Sequence, residues 1–254
     1  MINRNVREDI MYYFIVNPNS RSGKGALIWK GLEGILNERN VEYKTFFTEY
    51  RGHAVLLSES ITSDAAPENP LTLIAVGGDG TIQEVLSGVR DLSYITFGYI
   101  PTGSGNDFCR GMKLPTEPGE ALDLILSGCR PHPMDVPVLT CGTGSSHFAI
   151  SCGIGFDAGV CHEVSVTPMK KILNRIGLGK LVYLFVALKQ LLFLKPSPMT
   201  LVMDDDNVQQ FSKVYFTAVM NQKYEGGGFK FCPHASPSDG YLDVIVVDGL
   251  SKPK

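Results

Sequence analysis

The chain has 254 residues, of which 44% are hydrophobic and 19% charged, with a formal net charge of -3. That balance supports a sizeable packed core and excludes a disordered chain. The slight acidic surplus argues against a dedicated nucleic-acid binder, and the length allows one large domain or two of ordinary size.

Residues 1–9 are polar and carry no leader pattern, and the apolar run 10–16 reads as a strand. It ends in Asn17-Pro18-Asn19-Ser20, after which Ala26, Trp29, Leu32, Ile35 and Leu36 recur at helical spacing. A strand over 43–48 leads through Gly52 into a helix over 53–62. A third strand, 71–76, runs into a diglycine turn and a helix over 82–89. The fourth, 96–100, ends at Pro101, with helices over 107–112 and 121–126 after it. This alternation predicts a three-layer α/β unit, a parallel sheet covered by helices on both faces.

The pattern changes near Pro131-His132-Pro133. Beyond it, 136–139, 147–152, 200–203, 214–219 and 241–247 read as strands with few helices between them. They predict a mainly antiparallel β-sandwich domain over 134–254, following an α/β domain over 1–133.

The apolar segment 181–194 contains Lys189 and Gln190 and is shorter than the roughly 20 residues of a membrane span. With no leader pattern, a cytoplasmic protein is expected. Between 169 and 200 stand Lys170, Lys171, Arg175, Lys180, Lys189 and Lys195 without any acid, while Leu178, Leu181, Phe185, Leu188 and Leu192 share a helical face. Two readings stay open: a helix packed on the β domain with solvated lysines, or one docking on anionic lipid at the inner membrane face. The six cysteines, Cys109, Cys129, Cys141, Cys152, Cys161 and Cys232, form no CxxC pair and read as reduced thiols.

Ligands of open parallel sheets bind beyond the carboxyl ends of the strands, and three of those turns are unusual. They are Asn17-Pro18-Asn19-Ser20-Arg21-Ser22-Gly23-Lys24-Gly25, Gly77-Gly78-Asp79-Gly80-Thr81 and Pro101-Thr102-Gly103-Ser104-Gly105-Asn106-Asp107. In the second, glycines are expected to take positive φ and to leave no Cβ in the way of an anion, at the start of a helix whose dipole favours negative charge. Thr81 is expected to cap that helix or donate to a phosphate oxygen. Asp79 would repel phosphate unless a cation accompanies it, which points to Mg²⁺. Neither GxxxxGK[ST] nor a GxGxxG after the first strand occurs, so a Walker loop and a dinucleotide-binding Rossmann site are not indicated. Further on, Gly226-Gly227-Gly228 precedes Asp239-Gly240, which reads either as a hard-cation turn or as a plain hairpin turn.

As a set, these motifs resemble the diacylglycerol kinase catalytic family, which sphingosine and ceramide kinases share. The matching segments are Asn17-Pro18 with Gly23-Lys24-Gly25, then Gly77 through Thr81, then Pro101-x-Gly103-Ser104-x-Asn106-Asp107-Phe108. The last are Gly226-Gly227-Gly228 and Pro233, Ala235 and Asp239-Gly240-x-Leu242-Asp243. The resemblance implies an ATP- and Mg-dependent kinase acting on a lipid hydroxyl, diacylglycerol-like first, with its active site between the two domains. It implies ATP contacts at Asn17, Pro18, Asn19, Ser20, Arg21, Thr48, Gly78, Asp79, Gly80, Thr81, Ile82, Gln83, Glu84, Ser104 and Asn106. Asp79 and Asp107 would be catalytic, with Asn106 and Asp135 joining them around magnesium. A structural magnesium would sit on Ser236, Asp239 and Tyr241. Dimerisation is carried by the resemblance alone.

The family's catalytic base belongs to an Asp-Gly-Glu segment downstream of the Asp239 turn. Asp248-Gly249-Leu250 echoes its first two residues without the glutamate and reads as a turn. No general base is found, and the second domain is expected either to be cut short or to work without that base. Two other readings stay open: an NAD kinase-like enzyme, because that related family shares the Gly-Gly-Asp-Gly turn, and a nucleotide- or lipid-binding regulator without turnover.

Overall fold

The computed structural model describes residues 10–142, 144–155, 195–204 and 207–249. The basic apolar stretch apart from Lys195, Cys161 and the segment 251–254 lie outside the described residues. Two compact units are present, Met1–Ile150 with Asn221–Tyr241, and Ser151–Met220 with Leu242–Lys254. They interleave along the chain, so a single cut at 133/134 does not separate them.

In the first unit, β1 (Tyr12–Val16), β2 (Tyr43–Phe47), β3 (Leu71–Gly77) and β4 (Ile95–Pro101) pair in parallel in the order β2-β1-β3-β4. Successive side chains of a strand point to opposite faces, and the sequence fills both with apolar groups. Ile15, Leu73, Ala75 and Tyr99 enter one layer with Ile82, Val85 and Leu86 of α3 (Asp79–Gly88). Phe14, Val16, Ile74 and Ile100 enter the other with Trp29 and Leu32 of α1 (Ser20–Glu38) and Leu122 of α5 (Pro118–Leu126). Both layers of helices expected from the alternation are therefore present.

Trp29 is 2% exposed and packs against Phe14 with ring centroids 5.1 Å apart, and edge-on against Tyr43 and Phe47. Val16 stands level with Phe47 and Val76, and Gly77 with Pro101. This register brings the turns after β1, β3 and β4 out side by side at one edge of the sheet. Behind them, α2 (His53–Ile61) meets α3 closely. The Ser58 hydroxyl donates to the Val85 carbonyl at 2.7 Å, and a Cβ on Gly88 would overlap the Val55 carbonyl oxygen and stand 2.9 Å from Ser58 Cβ.

The helix expected from about residue 26 begins earlier. α1 opens at Ser20, but Arg21, Ser22 and Gly23 have φ of 48°, 61° and 91°, so regular helix starts only after Gly23. The strand expected over 147–152 is two strands. The hairpin of β5 (Val138–Cys141) and β6 (Gly144–His147) ends at His147, and β7 (Ser151–Gly155) starts afresh. Between them the Phe148 N–H donates to Pro137, and the Ile150 carbonyl accepts from Asn221 and Gln222. Those bonds pull residues 148–150 out of any ladder.

The second unit holds an antiparallel sheet. β9 (Asn207–Met220) pairs with β8 (Ser197–Met203) along its first half and with β7 and β10 (Asp243–Asp248) along its second. The second layer that a sandwich needs is not among the described residues. β10 begins two residues later than expected, leaving Tyr241 and Leu242 exposed. Gly249 follows it at φ 65°, its N–H donating to the Lys213 carbonyl at 3.2 Å. Among the described residues no helix is long and apolar enough to cross a membrane.

The α2–α3 joint gives a first prediction. Gly88→Ala should cost about 1–3 kcal/mol, because the new methyl meets backbone that cannot swing aside. Thermal denaturation of the purified protein should show a midpoint lower by roughly 2–10 °C.

Candidate active site

Asn17, Asn19 and Ser20 form the first wall of the site. The Asn17 N–H continues the sheet by donating to Val76, and its side-chain oxygen accepts the Asn19 N–H at 3.0 Å. Its amide nitrogen donates to the Thr81 hydroxyl at 3.2 Å, tying the β1 turn to the β3 turn. The buried Ser20 hydroxyl stands 2.7 Å from that of Thr102, tying the same turn to the one after β4. Gly25 is required here for space, because a Cβ would overlap Ser20 Oγ and the Asn17 carbonyl. Arg21 and Lys24 remain exposed at the rim.

The diglycine turn works differently from expectation. None of Gly77, Gly78 and Gly80 has a positive φ; Gly78 is extended at φ -105° and ψ -176°. Glycine is needed for close packing instead. A Cβ on Gly77 would overlap the Thr81 side chain, and a Cβ on Gly103 would stand 2.6 Å from the Gly78 Cα. The turns after β3 and β4 therefore touch backbone to backbone. The Gly77 carbonyl accepts the N–H of Thr102 at 2.7 Å, that of Gly103 at 3.0 Å and the Tyr99 hydroxyl at 3.1 Å.

Thr81 does not cap α3. It is buried, accepts from Asn17, and its N–H donates to Gly78. Ile82 is fully buried in the core, so only its backbone can face a ligand, whereas Gln83 is exposed and Glu84 half-buried. The N–H groups of Asp79 and Gly80 lead α3, where intrahelical acceptors are lacking.

Asp79 does what the sequence did not announce. Its two oxygens accept the N–H groups of Asp107 (3.1 Å) and Phe108 (3.3 Å), the first residues of α4 (Asp107–Met112). Burial raises its carboxyl above the ordinary value, and those backbone bonds oppose the rise. Asp107 is buried more fully. Its Oδ1 accepts from Arg110 at 2.8 Å and its Oδ2 from the Gly227 N–H at 2.7 Å, which brings the triple-glycine segment to this edge. Arg110 also donates to the Gly105 carbonyl. Asn106, in the left-handed region at φ 56°, turns the chain into α4, and its Oδ1 lies 3.5 Å from the Tyr99 hydroxyl.

The Asp79 and Asp107 carboxylates come together at Gly105, the candidate place for a metal. A Cβ there would lie 3.0 Å from Asp79 Oδ2 and 3.8 Å from Asp107 Oδ2, so both carboxylate oxygens reach the side of the chain that glycine leaves bare. Hard oxygen donors of this kind suit Mg²⁺. Asp135 is bonded elsewhere. Its Oδ2 accepts the Gly240 N–H at 2.8 Å and its N–H donates to Pro237, which ties it to the Asp239 turn. In that turn Asp239 Oδ1 accepts the Tyr241 N–H at 3.1 Å. Ser236 is half-buried and Tyr241 exposed, and the described residues hold no cluster of three His, Cys, Asp or Glu. Thr48 is buried after β2, its N–H on the Val16 carbonyl, and Ser104 is exposed in the β4 turn.

Tyr99, Thr102 and Arg110 were not anticipated. Tyr99 and Thr102 sit in a strand and at its end, where their side chains resemble ordinary core and turn residues. Arg110 alone carried a signal, standing three residues after Asp107 on one helix face. Burial raises the Tyr99 phenol, with the Asp79 charge adding to it, so the hydroxyl stays protonated as a donor. Beneath α4 the Cys109 thiol is pushed up to about 12, chiefly by burial and then by Asp79, which leaves it unreactive.

The chain is similar to known proteins along both halves. The family of the diacylglycerol kinase catalytic domain matches residues 11–141, and the YegS C-terminal NAD kinase beta sandwich-like domain matches 151–254. The Bacillus subtilis (strain 168) protein named "Putative lipid kinase YtlR" is 32% identical over 246 residues, covering 93% of this chain and 77% of that protein. A "Diacylglycerol kinase" of Staphylococcus saprophyticus is 29% identical over 84% of this chain and 65% of its own length. A crystal structure described as a diacylglycerol kinase from Bacillus anthracis str. Sterne superimposes with a TM-score of 0.66 at 23% identity. It covers 96% of this chain and 75% of that one, a likeness of fold. With the matched region spanning the whole parallel sheet and its three turns, the chain belongs to the diacylglycerol kinase catalytic domain family of lipid kinases.

Proposed function

We propose that this chain transfers the γ-phosphate of ATP to the hydroxyl of a diacylglycerol-like lipid, with Mg²⁺ as the accompanying cation. The observation that carries the reading is the junction of three turns at one sheet edge, with the Asp79 and Asp107 carboxylates flanking the space over Gly105. ATP would be held by Asn17, Pro18, Asn19, Ser20 and Arg21, by Thr48, by Gly78 through Glu84, and by Ser104 and Asn106. Residues 1–133 would then serve the nucleotide and 134–254 the lipid, with the Gly227 loop closing on the nucleotide side.

In this reading the N–H groups leading α3 bind phosphate oxygens, and Asn17 holds the Thr81 hydroxyl in position beside them. Asp79, Asp107 and Asn106 would hold Mg²⁺, which when bound supplies charge neutralisation between the phosphates. Arg110 orients Asp107 through their 2.8 Å ion pair. We assign no general base among the described residues. Ser236, Asp239 and Tyr241, joined by Asp135, are the candidate holders of a second, structural cation. A homodimer and a cytoplasmic protein touching the inner membrane face belong to the same proposal.

Incubation with Mg·ATP and separate samples of diacylglycerol, phosphatidylglycerol, sphingosine, ceramide and NAD tests the assignment. Phosphorylated diacylglycerol is the expected product. Phosphorylated NAD alone would replace the lipid-kinase reading with the second one, which the shared Gly-Gly-Asp-Gly turn motivates. ATP binding without any product would favour a regulator.

Asp79→Asn should lower turnover by about 10²–10³-fold while ATP still binds; full turnover would remove Asp79 from the chemistry. The same variant has a pH signature. Burial raises the Asp79 carboxyl, so the stability this group contributes is present below the ordinary aspartate value of about 3.9 and is lost as pH rises through the raised one. Urea titrations in chelator should therefore show Asp79→Asn gaining on the parent as pH rises from ~4 to ~7. Gly103→Ala should weaken ATP binding by about tenfold or more, because its methyl pushes the β4 turn off Gly78. Calorimetric titration with ATP would detect this.

A further inference from the structure

The segment after the triple glycine presents an apolar surface that the ATP site does not use. Gly226, Gly227 and Gly228 have φ of 67°, 86° and 108°, a run of left-handed backbone that reverses the chain. Glu225 and Phe229 then close the loop by exchanging two backbone hydrogen bonds of 2.9 and 3.0 Å. At the closing end of this turn Phe229 is 65% exposed and meets Phe231 edge-on, with ring centroids 4.7 Å apart. A large aromatic ring held out in water by a braced loop gains nothing from the fold itself.

The loop is flanked by positive charge. Lys223 and Lys230 flank the loop, and neither has an ion pair among the described residues. Glu225, the acid of the loop, has its Oε2 buried. An exposed aromatic ring between cations matches the chemistry of a membrane–water interface, where rings sit at the headgroup level and lysines meet anionic lipid.

We infer that the loop of Glu225 to Phe231 is an interfacial anchor that places Phe229 in an anionic bilayer beside the phosphoryl-transfer site. This rests on the lipid-kinase reading for its purpose, though not for its surface chemistry. The link to the site is short: the Gly227 N–H holds Asp107 Oδ2 at 2.7 Å, and the Arg110 guanidinium lies 3.4 Å from where a Cβ of Gly228 would stand. A bilayer gripping Phe229 would thus lie two residues from a group that orients the candidate metal ligand.

The test compares the parent with Phe229→Ser and with the double variant Lys223→Gln/Lys230→Gln. Vesicles of phosphatidylcholine alone and of phosphatidylcholine with phosphatidylglycerol are sedimented with each protein. The parent should bind the anionic vesicles. Phe229→Ser should lose about tenfold in partitioning to them, and the lysine variant should lose a similar factor that vanishes in high salt. Unchanged thermal midpoints would show that the folds survive.

A second readout separates this inference from the function it rests on. Phosphorylation of a long-chain diacylglycerol in vesicles should fall in Phe229→Ser, while that of a short-chain, water-soluble diacylglycerol should not. Loss of vesicle binding in a protein that phosphorylates nothing would support the anchor and sink the kinase reading. Equal vesicle binding by parent and Phe229→Ser would overturn the anchor. So would a Phe229→Ser effect confined to self-association in sedimentation velocity, which would assign the ring to a second copy of the chain.

Discussion

A half-buried carboxylate organises this edge of the sheet. Asp79 begins one helix and accepts the first two N–H groups of another, so two turns from different strands share one anionic group. Burying that charge is costly, and the two backbone donors offset the cost only in part, as its raised carboxyl records. Everything nearby follows from keeping the geometry tight. Gly103 must lie on Gly78, Gly105 must leave its Cβ position empty, and Tyr99 must prop the Gly77 carbonyl from within the core. A cation at this place would relieve the same charge that the fold leaves under-compensated. The structural strain and the proposed chemistry are then two aspects of one residue.

Much of the frame was legible because it rests on periodicity. Apolar residues on both faces of β1 and β3 imply helices on both sides, and the helices were found at the expected places to within a few residues. The three turns were also legible, since Gly, Asn and Ser cluster where strands end. Their mechanism was less so. Positive φ was the natural reading of Gly77-Gly78, but a sequence does not reveal that the neighbour across the turn is another glycine. The contact between Gly78 and Gly103 spans 25 positions and depends on strand order, which is settled only when the sheet forms.

The long-range partners were the least legible. The resemblance alone set Asp135 beside Asp79, while here its N–H donates to Pro237 and its Oδ2 accepts from Gly240. Gly227 reached Asp107 across 120 positions. Local pattern cannot encode such closures, and the strand expected over 147–152 failed for the same reason. Asn221 and Gln222, far along the chain, take the carbonyl of Ile150 and break the ladder there.

Trp29 has a practical consequence. It is the chain's one tryptophan, packed among Phe14, Tyr43 and Phe47 with its indole N–H buried and without a hydrogen-bond partner among the described residues. Its emission therefore originates wholly from the α1 side of the parallel sheet. Excited selectively, it is a built-in optical reporter for that layer, able to follow the opening of the first unit in the intact protein without any label.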